Sequence, residues 1–247
     1  MRRRLILCAA AIALAACSPA VDLAVDGADG GATQKRLPLP DCAEVSTEDQ
    51  GADGWKHPDC RMMLAGDAGL AIEARYTKAE DESTKVAVQV VAPGDATLQT
   101  IEETMGNTFN GIMQLDVDGD GKTDLLLPLE TGNVNTTWAL WRQNDDGQTF
   151  ARTGEPSGVS VESTESGYIA VPARSSASEW SVGFYKLEAN TLRPAVTVDV
   201  AAKGEPDNIA GIECRLTDNG GVPETGLTLE AAKEKFCTET VVAGLFK

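Results

Sequence analysis

The chain has 247 residues, of which 38 are acidic and 21 are basic, and its formal net charge at pH 7 is −17. Such a field repels a polyanion, so nucleic acid is excluded as a natural partner, whereas a basic protein or a cation is favoured. Beyond a short leader and a tether, the length suits a single domain.

The N-terminus has the pattern of a bacterial lipoprotein signal. Arg2 to Arg4 are positive, Leu5 to Ala13 form an apolar run too short to span a bilayer, and Cys17 ends a lipobox after small residues. We therefore expect a signal peptide at residues 1–16 and a lipid on Cys17, which anchors the chain without spanning the membrane. Ser18, in place of Asp, resembles lipoproteins sorted to the outer membrane, so the expected location is the periplasm, at the inner leaflet of that membrane.

Residues 17–40 are small, acidic and rich in glycine, which predicts a flexible tether between the lipid and the fold. Removal of residues 1–16 takes away Arg2, Arg3 and Arg4 and changes the net charge from −17 to −20. The rest of the chain, residues 41–247, is expected to be one calcium-binding β-domain.

The cysteines outside the leader and the lipid site are Cys42, Cys60, Cys214 and Cys237. In an oxidising periplasm an even set argues for two disulfides, with three possible pairings. The local pairs Cys42–Cys60 and Cys214–Cys237 are favoured, because each closes a loop at one end of the domain. A zinc site is the weaker alternative, since neither pair has Cys-x-x-Cys spacing and the only histidine is His57.

Short apolar or alternating runs, separated by turn residues, fill the middle of the chain. They predict an all-β fold of antiparallel strands arranged as a small propeller-like domain, a sandwich or a barrel. Near the end, Thr228 can N-cap a short helix over residues 229–236. The predicted strands are 70–76, 86–91, 112–115, 125–129, 138–141, 159–161, 168–171, 180–185 and 196–200.

The most specific motif is an acidic loop that begins at Asp116. Asp116, Asp118, Asp120 and Asp124 occupy positions 1, 3, 5 and 9, and Gly121 at position 6 permits a sharp turn. The backbone carbonyl of Lys122 falls at position 7. Because Ca²⁺ takes about six to eight oxygen ligands, this spacing predicts a calcium site formed by these five residues.

The flanks of this loop differ from those of an EF-hand. Position 12 is Leu127 instead of Glu, and both flanking segments have strand patterns. We therefore expect a calcium loop between β-strands, and the alternative is an acidic hairpin turn without an ion. A single copy of the motif argues against an array of calcium repeats.

Enzyme signatures are absent from the sequence. It has no Gly-x-Ser-x-Gly elbow, no phosphate-binding glycine loop and no His-Glu-x-x-His motif, and His57 has no evident catalytic partner. We therefore expect a protein that is not an enzyme. The alternative is a glycosidase that uses a pair of carboxylates, for which Glu102, Glu103, Glu162 and Glu165 are available.

The segment from Leu98 to Arg152 resembles two known groups of proteins. The loop from Asp116 to Asp124 with its following apolar strand is similar to the calcium-binding blade of FG-GAP and VCBS repeats. The order of strand, acidic loop, second strand, Gly/Asn loop and the strand Trp138-Ala139-Leu140-Trp141 resembles periplasmic calcium-binding proteins related to lysozyme inhibitors. Some members of that group are immunity lipoproteins that protect gammaproteobacteria, such as xanthomonads, from the peptidoglycan-degrading effectors of their own antibacterial type IV secretion systems.

The second resemblance implies a lipid-anchored periplasmic protein that binds calcium and inhibits a cell-wall hydrolase effector, a partner we expect to be basic. It extends to the later hairpins over residues 160–171 and 180–192 and does not extend to the region from Cys214 to Cys237. The alternative is a structural or adhesive calcium-binding envelope lipoprotein without inhibitory activity.

Overall fold

The fold is described from a computed structural model, for residues 38–66, 69–80, 83–205, 208–218 and 220–246. Residues 38–247 belong to one structural unit. The predicted signal peptide, Cys17 and the predicted tether up to Leu37 lie outside the described residues. Within the described ranges, no helix combines the length and the apolar character needed to cross a membrane.

Antiparallel strands make up most of the domain, and the helices are short. The helices are α1 (Val222–Thr225), α2 (Leu229–Cys237) and α3 (Thr240–Gly244), and Gly51–Asp53 form one turn of 3-10 helix. The strands are β1 (Glu48–Asp49), β2 (Trp55–Lys56), β3 (Cys60–Met63), β4 (Ala71–Lys78), β5 (Thr84–Val91), β6 (Thr97–Met105), β7 (Met113–Leu115), β8 (Asp124–Thr131), β9 (Thr136–Gln143), β10 (Phe150–Gly154), β11 (Ser157–Gly158), β12 (Glu162–Ser163), β13 (Ile169–Arg174), β14 (Glu179–Glu188), β15 (Thr191–Glu205) and β16 (Asn208–Asp218).

The larger sheets are each built from strands that follow one another in the chain. The first sheet has the order β3-β4-β5-β6, the second β10-β9-β8-β7 with β11 beside β9, and the third β12-β13-β14-β15-β16. β1 and β2 form a separate two-stranded ribbon. Such neighbours need only hairpin connections, and none of the sheets formed by the described strands closes into a barrel.

The three larger sheets are stacked, with the second sheet in the middle. Alternation along β8 explains this, because successive side chains of a strand point to opposite faces. Leu125 and Leu127 pack with Ile72 and Val88 of the first sheet. Leu126 faces the other way and packs with Ile169 and other side chains of the third sheet. The second sheet is therefore apolar on both faces, which accounts for the nearly continuous apolar run in β8.

The outer face of the third sheet is covered by the C-terminal helices. Phe236 of α2 is fully buried, and its ring contacts those of Tyr168 and Phe184 at centroid distances of 5.0 and 4.8 Å. The Thr228 hydroxyl accepts a hydrogen bond from the Ala231 N–H at 3.2 Å, which is the N-cap contact expected from the sequence. The predicted all-β class with a short C-terminal helix is thus confirmed.

The described residues form two disulfides, Cys42–Cys60 and Cys214–Cys237, which is the pairing favoured from the sequence. Cys60 lies on β3 and holds the segment that precedes the first sheet. The Cys214–Cys237 bond joins the edge strand β16 to the end of α2. Each bond therefore fastens a peripheral segment to one end of the stack.

One predicted strand is wrong, and eight of the described strands were not predicted. Residues 159–161 run between β11 and β12 without forming a strand, and Val161 is apolar because it is buried against the second sheet. In β6 polar residues outnumber apolar ones, so a hydrophobic pattern does not reveal it. In β16 the alternating residues Ile212, Cys214 and Leu216 pack on the core, and the prediction overlooked that pattern. The strands absent from the prediction are β3, β6, β10 and β16 and the two-residue strands β1, β2, β11 and β12.

Candidate metal centre

The acidic loop connects β7 and β8, an antiparallel pair that ends at Leu115 opposite Asp124. Its flanks are strands, as the sequence predicts. Gly119 and Gly121 have φ values of 74° and 84°, a left-handed conformation that glycine adopts without steric cost. The loop therefore turns tightly enough to bring its alternate side chains together.

The Asp116 carboxylate organises the loop from the inside. Its Oδ1 accepts hydrogen bonds from the N–H groups of Gly119 at 2.8 Å and Asp120 at 3.1 Å, and its Oδ2 accepts one from Gly121 at 2.9 Å. Asp118 Oδ1 likewise accepts from the Asp120 N–H at 3.2 Å. These bonds fix the backbone so that the side chains at positions 1, 3 and 5 converge.

Asp116, Asp118 and Asp120 each bring a carboxylate oxygen to within 4.8 Å of the other two. Asp116 and Asp118 are half-buried and Asp120 is exposed. Carboxylate oxygens are the ligands that hard divalent cations such as Ca²⁺ prefer. The donor set at these three predicted positions therefore fits Ca²⁺ in its chemistry.

The fourth predicted carboxylate, that of Asp124, accepts hydrogen bonds from the backbone. It is fully buried at the start of β8, where its Oδ1 accepts from the Gln143 N–H at 2.9 Å and its Oδ2 accepts from the Val117 N–H at 3.1 Å. Burial raises the pKa of Asp124 to about 6, although both hydrogen bonds oppose that shift. Asp124 thus joins the loop to β9. Its role as a calcium ligand stays a prediction.

Two basic side chains also reach the loop. Arg142 of β9 donates from Nε to Asp118 Oδ2 at 2.6 Å and from a terminal guanidinium nitrogen to Asp120 Oδ2 at 2.7 Å. The Lys122 ammonium donates to Asp145 at 2.7 Å and lies 3.5 Å from Asp120. The hydrogen bond to Asp118 is the main reason why the pKa of Arg142 is raised. The use of the Lys122 carbonyl as a ligand stays a prediction.

Arg142 is a residue at the candidate site that the sequence analysis missed. It lies 18 positions beyond Asp124 in the chain, and only the pairing of β8 with β9 brings it to the loop. A basic residue in the strand that follows the motif is a weak signal by itself, because a charged residue on a strand is usually solvated.

The chain was compared with protein-family models, curated proteins and solved structures. No protein-family model matches the chain, and no curated protein matches it. Among solved structures, the chain is similar to a Xanthomonas type IV secretion system related protein, with 11% sequence identity and a TM-score of 0.44 over 71% of this chain and 95% of that one. At this identity and score, nothing about the function of the present chain follows from the similarity.

Proposed function

We propose that this chain is a calcium-binding lipoprotein of the bacterial envelope that binds a basic cell-wall hydrolase and inhibits it. The convergence of the Asp116, Asp118 and Asp120 carboxylates to within 4.8 Å is the observation that supports calcium binding. Bound Ca²⁺ would neutralise carboxylates that otherwise repel one another, and so would stabilise the β7–β8 hairpin. These three residues would hold the ion, together with the Lys122 carbonyl and Asp124.

The charge of the protein supports a basic partner. Without residues 1–16 the net charge is −20, which attracts a positively charged hydrolase over distances of about 8 Å at physiological ionic strength and increases the association rate. The resemblance of Leu98 to Arg152 to lysozyme-inhibitor-related proteins adds the nature of that partner, a peptidoglycan hydrolase effector. On this proposal the chain acts by binding and carries out no reaction itself.

The lipid anchor is part of the proposal and is supported by the lipobox ending at Cys17. A chain lipidated at Cys17 fractionates with membranes from the periplasmic side, whereas Cys17→Ala leaves the precursor unprocessed by signal peptidase II. Wild-type protein in the soluble periplasmic fraction would contradict the anchor.

Inhibition is tested with residues 38–247 and a peptidoglycan hydrolase encoded beside the gene. We expect the hydrolase to lose activity on purified peptidoglycan at near-equimolar inhibitor, with association slowing as salt is added. Deletion of the gene in a strain with an active secretion system should cause lysis on contact with sibling cells. An unaffected hydrolase and an indifferent deletion strain would together contradict the inhibitor function.

A structural or adhesive role without inhibition is the second candidate. It is favoured by the way Asp124 and Arg142 link the loop to β8 and β9, since an ion there would mainly stiffen the second sheet. A protein that responds to Ca²⁺ in thermal unfolding but binds no cell-wall hydrolase would support this role over the first.

A further inference from the structure

A second candidate site lies beside the first sheet, away from the acidic loop. A cavity of about 720 Å³ is lined by residues of β2, β4 and the segment after β6, among them Trp55, His57, Tyr76, Lys78 and Asn107. A neighbouring cavity of about 310 Å³ shares His57 and Tyr76 with it. The two volumes are of the size that small-molecule sites have in proteins.

Aromatic rings form one wall of this region. The His57 ring stacks on Tyr76, with centroids 5.0 Å apart and planes at 26°, and Trp55 contacts Phe109 with centroids 5.6 Å apart. Phe109 is 46% exposed, although aromatic residues of the Phe, Trp and Tyr types make up only 5% of the chain. Rings that combine an apolar face with a polar edge suit ligands that have both apolar and polar faces, as sugar rings do.

His57 supplies a fixed hydrogen-bond acceptor. Its Nε2 lies 2.8 Å from the Thr108 carbonyl oxygen, so Nε2 carries the proton and Nδ1 presents a lone pair. Burial lowers the pKa of His57, which keeps the ring neutral. The Thr108 hydroxyl is in turn 2.8 Å from that of Thr131, so the partner of the imidazole is itself held in place. A preorganised acceptor of this kind suits a hydroxyl donor of a ligand.

The charges of the lining favour an anion. Lys56 and Lys78 both line the larger cavity, where Asp53 is the one carboxylate among the described lining residues. Lys56 is 3.5 Å from Glu48, but both side chains are more than 60% exposed, so that pair is weak. Lys78 is exposed and forms no ion pair with a described residue. In a chain this acidic, two ammonium groups beside an aromatic wall select against cationic ligands.

We propose that the cavity lined by Trp55, His57, Tyr76 and Lys78 binds a saccharide that carries an anionic group. The sugar rings pack against Trp55 and Tyr76, a hydroxyl donates to His57 Nδ1, and the anionic group lies near Lys78 and Lys56. The site is separate from the acidic loop and from the proposed inhibition, so each can fail without the other.

The test is isothermal titration of the full chain, purified as the cell processes it, with three disaccharides. N-acetylglucosaminyl-N-acetylmuramic acid carries a carboxylate, trehalose 6-phosphate carries a phosphate, and chitobiose is neutral. We expect at least one anionic disaccharide to bind about fivefold or more tightly than chitobiose, which corresponds to one ion pair at a partly exposed site. The anionic disaccharide that binds more tightly shows whether the anionic group of the ligand is a carboxylate or a phosphate.

Matched variants locate the site. Lys78→Met should lower the affinity for the anionic disaccharide about fivefold and leave the affinity for chitobiose unchanged. Lys233 is an exposed lysine of α2, and Lys233→Met should change neither affinity. Trp55→Ala should lower the affinity for every disaccharide that binds about tenfold, and Trp180→Ala, on the third sheet, should leave these affinities unchanged. Since Lys78 is exposed, its substitution leaves folding intact even if Trp55→Ala does not fold.

Three results would overturn the proposal. They are the absence of binding by both anionic disaccharides up to about 10 mM, equal affinity for chitobiose, and equal effects of Lys78→Met and Lys233→Met. Asp120→Ala should leave saccharide binding unchanged, because the acidic loop does not line the cavity.

Discussion

The guanidinium of Arg142 lies against the acidic loop, with its Nε 2.6 Å from Asp118 Oδ2. A second guanidinium nitrogen is 2.7 Å from Asp120 Oδ2, so one basic residue of β9 pairs with two carboxylates of the β7–β8 loop. Arg142 and Ca²⁺ would compete for the carboxylates of Asp118 and Asp120. The arginine therefore stabilises the loop most when no ion is bound.

Arg142→Gln tests this relationship. We expect the variant to lose about 2 kcal/mol of unfolding free energy without calcium, because Asp118 and Asp120 lose a charge-assisted partner. Saturating Ca²⁺ should restore most of that loss, so the calcium-induced rise in melting temperature becomes larger than in wild type. Thermal unfolding with EDTA and with Ca²⁺ measures both values.

Arg152→Gln is the matched control. Arg152 pairs with Glu103 at 2.7 Å and Glu155 at 2.6 Å, and neither belongs to the acidic loop. Its substitution should lower stability by the same amount with and without calcium. An equal loss for Arg142→Gln under both conditions would show that the arginine and the ion do not share ligands.

Calcium binding should depend on pH through Asp124. Burial raises its folded pKa from 3.8 to about 6, so the folded state holds a proton that the unfolded state has released. Without calcium, the stability from this group is complete below pH 3.8 and is lost as pH rises through about 6. A nearby Ca²⁺ favours the ionised carboxylate, which reverses the trend.

The calcium-induced rise in melting temperature should therefore be larger at about pH 7.5 than at about pH 5. Asp120→Ala should remove most of the response at either pH, because it deletes a charged ligand at position 5. Asp146→Ala, in the next turn of the chain, should keep both the response and its pH dependence. A response of equal size at both pH values would exclude a role for Asp124.

The fold class and the acidic loop could be predicted because their signals are local. Residues 125–129 form one apolar run, and Gly121 at position 6 of the acidic motif marks a tight turn. Thr228 before an apolar pattern gave the start of α2 for the same reason. Each of these features depends on neighbours within about ten residues, which is the range that periodicity and capping patterns cover.

The parts that could not be predicted depend on contacts distant in the chain. Arg142 reaches Asp118 only through the register of β9 against β8. The wall formed by Trp55, Tyr76 and Phe109 likewise gathers rings from three separate segments. β6, in which polar residues outnumber apolar ones, is held as an edge strand by its pairing with β5, and that contact leaves no pattern in its own sequence.

The two tryptophans of β9 should respond differently to the same substitution. Trp141 Nε1 donates to Glu103 Oε1 at 2.9 Å, whereas the buried Trp138 Nε1 has no hydrogen-bond partner among the described residues. Trp141→Phe should cost about 2 kcal/mol, because it removes a bond to a charged group. Trp138→Phe should cost less than about 1 kcal/mol, because removal of an unpaired donor offsets the lost packing. Urea unfolding compares them, and the opposite order would refute this account of the two indoles.

The two disulfides should stabilise different parts of the domain. The Cys214–Cys237 bond spans 23 positions and attaches α2 to β16, and the Cys42–Cys60 bond spans 18 positions at the edge of the first sheet. Loop closure of this length is worth about 3 kcal/mol, so replacing either pair with alanines should lower the unfolding free energy by a similar amount.

Hydrogen exchange separates the two effects by location. Without Cys214–Cys237, the amides of α2 and β16 should exchange faster while those of β4 and β5 stay protected, because the described residues of α2 pack on the third sheet and not on the first. Without Cys42–Cys60, amide exchange should become faster in β3 and in the residues before it. The acidic loop contains neither pair, so calcium should raise the melting temperature of both variants as it does in wild type. Faster exchange spread evenly over all three sheets in either variant would show that the domain opens as one unit and that the bonds have no local role.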